Sequence, residues 1–120
     1  MGRVPITSEG GLAITVLHNE DEVLVRLKGQ TTVDSSPDLH DRLLQVLAEQ
    51  PSPRVVTVDL SGVTYIEASG IATLLEALKI ARHRQMTFCL QGLGGSVLRL
   101  FEVTGVLALF ESSDCGQKAS

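Results

Sequence analysis

Three times along this chain a short β-branched or apolar run gives way to a segment whose apolar residues recur at helical spacing. The runs are Val23–Leu27, Arg54–Leu60 and Met86–Gln91. The segments after them carry Leu39, Leu43, Val46 and Leu47, then Ile71, Leu74, Leu75, Leu78 and Ala81, then Val97, Leu100, Phe101 and Thr104. Alternation of this kind leaves few folds open, because each helix must carry the chain back so that the next strand runs parallel to the last. A further run, Leu12–Leu17, precedes the first across the polar Asn19-Glu20-Asp21-Glu22, which predicts a hairpin with a loop of four to five residues. The order β-β-α-β-α-β-α is that of an α/β fold with a small mixed β-sheet, mostly parallel with an antiparallel N-terminal hairpin.

The punctuation between these segments is chemical. Gly29 ends the second strand. Ser36 caps the first helix, Pro37 suits its first position, and Asp38 and Asp41 face the positive end of its dipole. Pro51 and Pro53 close it. Ser61-Gly62 reads as a turn, Ser69 as the cap of the second helix, Gly92-Leu93-Gly94-Gly95 as a turn and Gly105 as the C-cap of the third helix. Leu107–Phe110 reads as one more short strand, which places a single domain at 1–110 and a polar tail at 111–120.

Composition excludes several classes of function. The 120 residues are 43% hydrophobic and 20% charged, which is globular and not disordered. Ten basic residues against 14 acidic ones supply no excess for a phosphate backbone, and an aromatic content of 3% supplies no stacking platform, so no nucleic acid is expected as partner. No apolar stretch reaches the roughly 20 residues of a spanning helix, so no membrane insertion is expected. Cys89 lies in an apolar run and reads as a buried, inert thiol. Cys115 lies far from it, and a reduced, cytoplasmic home follows. His18, His40 and His83 have no second ligand at metal spacing. No nucleophile elbow is present, and the glycine run at Gly92 lacks both the third glycine, replaced by Val97, and a ribose-binding acid. Neither an enzyme nor a cofactor is expected.

The most informative segment is Val58-Asp59-Leu60-Ser61-Gly62-Val63-Thr64-Tyr65-Ile66-Glu67-Ala68-Ser69-Gly70-Ile71. A buried strand leads into an apolar helix, with Glu67, Ser69 and Gly70 at the helix mouth. Gly70 allows close approach of a neighbour, and the helix N-terminus favours an anion such as a phosphoryl group. Read without any relative, Ser69 is an N-cap and Asp59 a turn former.

The run DLSGVTYIEASGIATLL resembles the central signature of the STAS domain, shared by bacterial anti-sigma-factor antagonists and sulfate transporter tails. The resemblance spans about Leu12 to Phe110. It implies a small mixed sheet with helices packed on one side. It also implies a regulatory binding protein of a partner-switching pathway. Antagonists of this kind bind an anti-sigma factor that is often a serine kinase, and release a sigma factor. Phosphorylation at the start of the second helix breaks their complex. Their motif runs Asp-Ser-Ser-Gly, with the phosphate on the first serine. Here those positions are Glu67, Ala68, Ser69 and Gly70, so the usual acceptor is a methyl and Ser69 is the substitute candidate. Where the family often has an acid after the second strand, this chain has Thr32, with Asp34 close by.

The expected partner surface is therefore the mouth of the second helix with the loop from Gln30 to Ser35, the residues singled out being Gln30, Thr31, Thr32 and Asp34 of that loop with Ser61, Thr64, Glu67, Ala68, Ser69 and Gly70. The alternative partner is the ATPase of a membrane transporter, with this chain as the small STAS subunit of a lipid-transport complex. A second alternative is a small-ligand sensor using a pocket near Gly92 to Ser96. Homodimerisation stays open.

Overall fold

The computed structural model describes residues 11–111. Strands β1 (Leu12–Asn19) and β2 (Glu22–Thr31) form an antiparallel hairpin, and β3 (Val55–Ile66) and β4 (Thr87–Gln91) extend it in parallel, in the order β1-β2-β3-β4. Helices α1 (Ser36–Leu47), α2 (Ala68–His83), α3 (Gly95–Thr104) and α4 (Leu107–Glu111) complete the chain, with the helices on one side of the sheet. This is the mixed α/β sheet expected.

Alternation decides which side is covered. Val23, Val25 and Leu27 of β2 lie opposite Val56 and Val58 of β3, all buried beneath the helices. Leu39, Leu43, Val46 and Leu47 of α1 and Ile71, Leu74, Ala77, Leu78 and Ala81 of α2 fill the space above them. Burying a Leu or Val of this set stabilises by roughly 1.5–3 kcal/mol before cavity effects. Phe88, Phe101 and Phe110 close the far end, Phe101 meeting Phe110 edge-on with centroids 5.9 Å apart.

Several local expectations give way to the tertiary structure. The hairpin loop is a tight Glu20–Asp21 turn, because Asn19 pairs with Glu22 and Glu20 adopts a φ of 56°. Gly29 does not end β2, which runs on to Thr31. Ser61-Gly62 is not a turn. The register slips between Arg26 and Lys28 and again between Gly29 and Gln30, so β3 absorbs extra residues as bulges and stays in the sheet. Ser36 is the first residue of α1 and not its cap; Ser35 stands at the N-cap. Leu107–Glu111 is helical, because Phe110 is drawn onto Phe88 and Phe101 rather than onto a sheet edge. Glu111 thus belongs to α4, and residues 112–120 of the expected tail, with Cys115, lie outside the described residues. Cys89 is half-buried and disulfide-bonded, not the buried free thiol expected. Gly105 ends α3 in the left-handed conformation, as its position predicts.

Candidate functional site

The parallel pairing of β2 and β3 brings their C-terminal ends side by side, Thr31 opposite Ile66. The loop into α1 and the mouth of α2 therefore meet at one edge of the fold. Glu67 N–H donates to the Thr31 carbonyl at 2.9 Å, extending the ladder by one bond. Gly70 packs directly beneath: a Cβ there would stand 2.7 Å from Thr31 Oγ1 and 3.0 Å from Ile66 Cγ1. This is the close approach the glycine permits. The Thr31 hydroxyl is fully buried in that contact and has no hydrogen-bond partner among the described residues.

Hydroxyl groups build the loop. Ser35 is fully buried; its Oγ accepts from Thr32 N–H at 2.9 Å and donates to the Gln30 carbonyl at 3.0 Å. Ser36 Oγ donates to the Thr32 carbonyl at 2.7 Å and lies 3.0 Å from Ser69 Oγ. A serine carries one hydroxyl proton and a carbonyl can only accept. With the Ser36 proton on Thr32, the Ser69 hydroxyl supplies the proton of the Ser36–Ser69 bond. Asp34 N–H donates to Thr32 Oγ1 at 3.2 Å. Thr64 Oγ1 donates to the Gly29 carbonyl at 3.3 Å.

The expectation that Ser69 caps α2 is corrected by this geometry. The cap stands two residues earlier: the helix starts at Ala68, with Glu67 at the N-cap and no side chain capping it. Ser69 is half-buried and turned toward α1, and its carbonyl accepts from Thr73 Oγ1 at 3.0 Å. Ala68 is exposed at the mouth. The ten residues of the expected surface divide accordingly. Gln30, Asp34, Ser61, Thr64 and Ala68 are exposed, and Thr32, Glu67 and Ser69 are half-buried. Thr31 and Gly70 are buried and shape the surface from below, a correction to their assignment as contact residues.

Val33 and Ser35 lie in the expected loop without being singled out there, and Ser36 and Tyr65 lie outside the expected surface, yet all four build or flank the mouth. Val33 is 65% exposed and Tyr65 47% exposed. A lone valine in the hydroxyl-rich run Thr31-Thr32-Val33-Asp34-Ser35-Ser36 is the signal that could have marked it. Tyr65 OH donates to Glu67 Oε2 at 3.3 Å, and the nearby Glu67 charge holds its pKa above the ordinary value.

A shallow depression of about 430 Å³ adjoins the mouth, lined by Val33, Ser36, Pro37, His40, Ser69 and Thr73 among others. Another, of about 510 Å³, lies further along α1 and α2 between Leu44, Leu47, Ile80 and Arg84. Gly92, Gly94, Gly95 and Ser96, the stretch considered for a small ligand, are exposed, with Leu93 half-buried. Among the described residues no group of His, Cys, Asp and Glu is placed to hold a metal ion, and no helix is long and apolar enough to cross a membrane.

Comparison with known proteins agrees with the fold. Residues 14–111 match the family model described as Mlab, STAS domain. The chain is 27% identical over 100 residues to an anti-sigma-B factor antagonist of Bacillus subtilis, covering 83% of this chain and 89% of that protein. Its fold is similar to the crystal structure of an anti-sigma factor antagonist from Mycobacterium paratuberculosis, with a TM-score of 0.72 at 19% identity over 88% of this chain and 87% of that one. It is also similar to a sulfate transporter family protein from Wolinella succinogenes, with a TM-score of 0.66 at 19% identity over 78% and 75% of the two chains.

Proposed function

The chain belongs to the STAS domain family, and on that footing we propose that it is a non-enzymatic antagonist that binds an anti-sigma factor and so frees a sigma factor. The similarity to the Bacillus subtilis antagonist over most of both chains supports this reading. The observation that carries it is the mouth of α2. An exposed Ala68, an exposed Val33 and an exposed Tyr65 stand on a helix end, a loop and a strand end cross-linked by hydrogen bonds, which is the construction of a rigid recognition surface.

With a methyl at position 68, the antagonist binds its partner without a phosphate switch at that position. Ser69 is a poor substitute, because its hydroxyl is half-buried and engaged with Ser36. Exchange of partners then follows the amount of this chain or a competitor. We place that exchange in the cytoplasm, where transcription is regulated. The Cys89 disulfide is unusual for a reducing compartment.

The test begins with a pull-down. Recovery of a kinase-type anti-sigma factor, confirmed as a direct complex with purified proteins, is the expected outcome. Incubation of that kinase and ATP with the wild type, Ala68→Ser and Ser69→Ala should leave the wild type unmodified and phosphorylate Ala68→Ser, as mapped by mass spectrometry. Stoichiometric phosphate on wild-type Ser69 would overturn the constitutive reading. A second reading, a STAS subunit on the ATPase of a membrane transporter, draws on the similarity to the sulfate transporter family protein. Recovery of a transporter ATPase in place of an anti-sigma factor would favour it.

A further inference from the structure

Glu67 is the acid that precedes the acceptor position, and its two oxygens hold two different elements. Oε1 accepts from Val33 N–H at 3.0 Å, across 34 residues of chain. Oε2 accepts from the Tyr65 hydroxyl at 3.3 Å. Its own N–H is committed to the Thr31 carbonyl at 2.9 Å. The carboxylate thus fastens the loop between β2 and α1 onto the end of β3, and it is half-buried in doing so. The side chains on either side of this fastening, Val33 and Tyr65, are the ones left open.

We infer that Glu67 is a positioning residue: it clamps the β2–α1 loop, and the partner meets the side chains of Val33 and Tyr65 that the clamp presents, not the Glu67 carboxylate. This rests on the reading of the mouth as a partner surface. The chemistry of the two alternatives differs. A carboxylate that met a partner cation would make an affinity that falls with ionic strength. A clamp needs only an acceptor for Val33 N–H, so an amide oxygen can replace it.

Two measurements need no partner. The chain has one tyrosine and no tryptophan, so alkaline absorbance titration reads Tyr65 alone. Glu67→Gln and Glu67→Ala should both titrate at lower pH than the wild type, since the charge that holds Tyr65 up is gone. Amide exchange at Val33 should be about tenfold faster in Glu67→Ala, the loss of one charge-assisted hydrogen bond, and close to wild type in Glu67→Gln. The third measurement uses the purified anti-sigma factor identified by the pull-down. Glu67→Gln should bind it within about twofold of the wild type and with the same salt dependence, whereas Glu67→Ala should bind about tenfold more weakly. Tyr65→Phe, which removes one arm of the clamp and keeps the ring, should bind within about twofold.

Wild-type exchange at Val33 in Glu67→Ala would overturn the clamp. Loss of binding in Glu67→Gln equal to that in Glu67→Ala, with exchange unchanged in Glu67→Gln, would make Glu67 a direct ionic contact and overturn the inference. If the wild type binds no anti-sigma factor, the partner reading fails, and the titration and exchange results still decide whether Glu67 clamps the loop.

Discussion

The sheet feeds two helices through glycine-bearing mouths, and the two mouths are built differently. From β3 into α2 the chain passes Glu67, Ala68, Ser69 and Gly70; from β4 into α3 it passes Gly92, Leu93, Gly94 and Gly95. The α2 mouth is tied to the end of β2, the loop after it and the start of α1 by Glu67–Thr31, Glu67–Val33 and Ser69–Ser36. At the α3 mouth, a Cβ on Gly94 or Gly95 would meet nothing within 4 Å. Its one tight point is Gly92, whose φ is +77° and whose Cβ would stand 2.6 Å from Ser61 N and 2.7 Å from Asp59 Oδ1. The glycine-rich mouth looks more like a ligand loop in the sequence, yet the other carries the cross-linked surface. Glycine content alone does not mark a site. What marks it is a second element brought within hydrogen-bond reach.

The contrast can be broken by substitution, beginning with the largest effect. Gly92→Ala should lower stability by roughly 2–4 kcal/mol, combining a left-handed backbone with overpacking against β3. Gly94→Ala at the same mouth should stay within about 0.5 kcal/mol. Chemical denaturation of both variants checks the pair. Equal losses would show that the mouth is uniformly constrained and would remove the contrast.

Asp59 gives the next effect. Burial raises the pKa of its carboxyl, but hydrogen bonds from Ser61 and the Arg26 guanidinium, 3.5 Å away, outweigh that and hold it below its ordinary value of 3.8. A depressed folded pKa contributes stability that is fully present above the unfolded value and lost as pH falls through the folded one. Asp59→Asn should therefore cost about 1–2 kcal/mol at pH 7, and the gap to the wild type should narrow as the pH drops below 3.8. Urea melts at pH 7 and pH 3 measure it. A gap that is constant with pH would mean the carboxylate charge does not hold the bulge.

The smallest effect lies at the α2 mouth and has the opposite sign. Thr31→Val replaces a buried hydroxyl that has no partner among the described residues with a methyl of similar shape, beneath Gly70. Stability should rise by about 1 kcal/mol, roughly 4–8 °C in Tm for a domain of this size. A fall in Tm would show that the hydroxyl is used.

Much of this architecture is legible in the amino-acid order. The apolar stripe of α1, Leu39 to Leu47, is buried as its spacing requires, and so are Ile71, Leu74, Leu78 and Ala81 of α2. The parallel strands follow from helices standing between them, and Gly105 from the need for a left-handed residue at a helix end. These features depend on periodicity and on local backbone preference, which neighbours in the chain settle between themselves. The candidate surface was legible only in part: its glycine, its two serines and its acid are in the sequence, but their partners are not. Serine next to a helix start has several acceptors within reach, and local reasoning selects its own helix for Ser36 and Ser69. The parallel register of β2 with β3 instead sets the two loops side by side, so Ser69 turns to Ser36 and Glu67 to Val33. The same pairing keeps Ser61-Gly62 inside β3, because ladder bonds to β2 outweigh the turn preference of the pair. Leu107–Phe110 is ambiguous as a short apolar run, and the aromatic cluster of Phe88 and Phe101, distant in sequence, makes it a helix. The sequence by itself determined the three longer helices, the strands that feed them and the face each one buries, since those rest on local periodicity; the tertiary structure alone decided the last helix, the continuity of β3 and which hydroxyls and carboxylates meet, since those rest on contacts and register between segments distant in the chain.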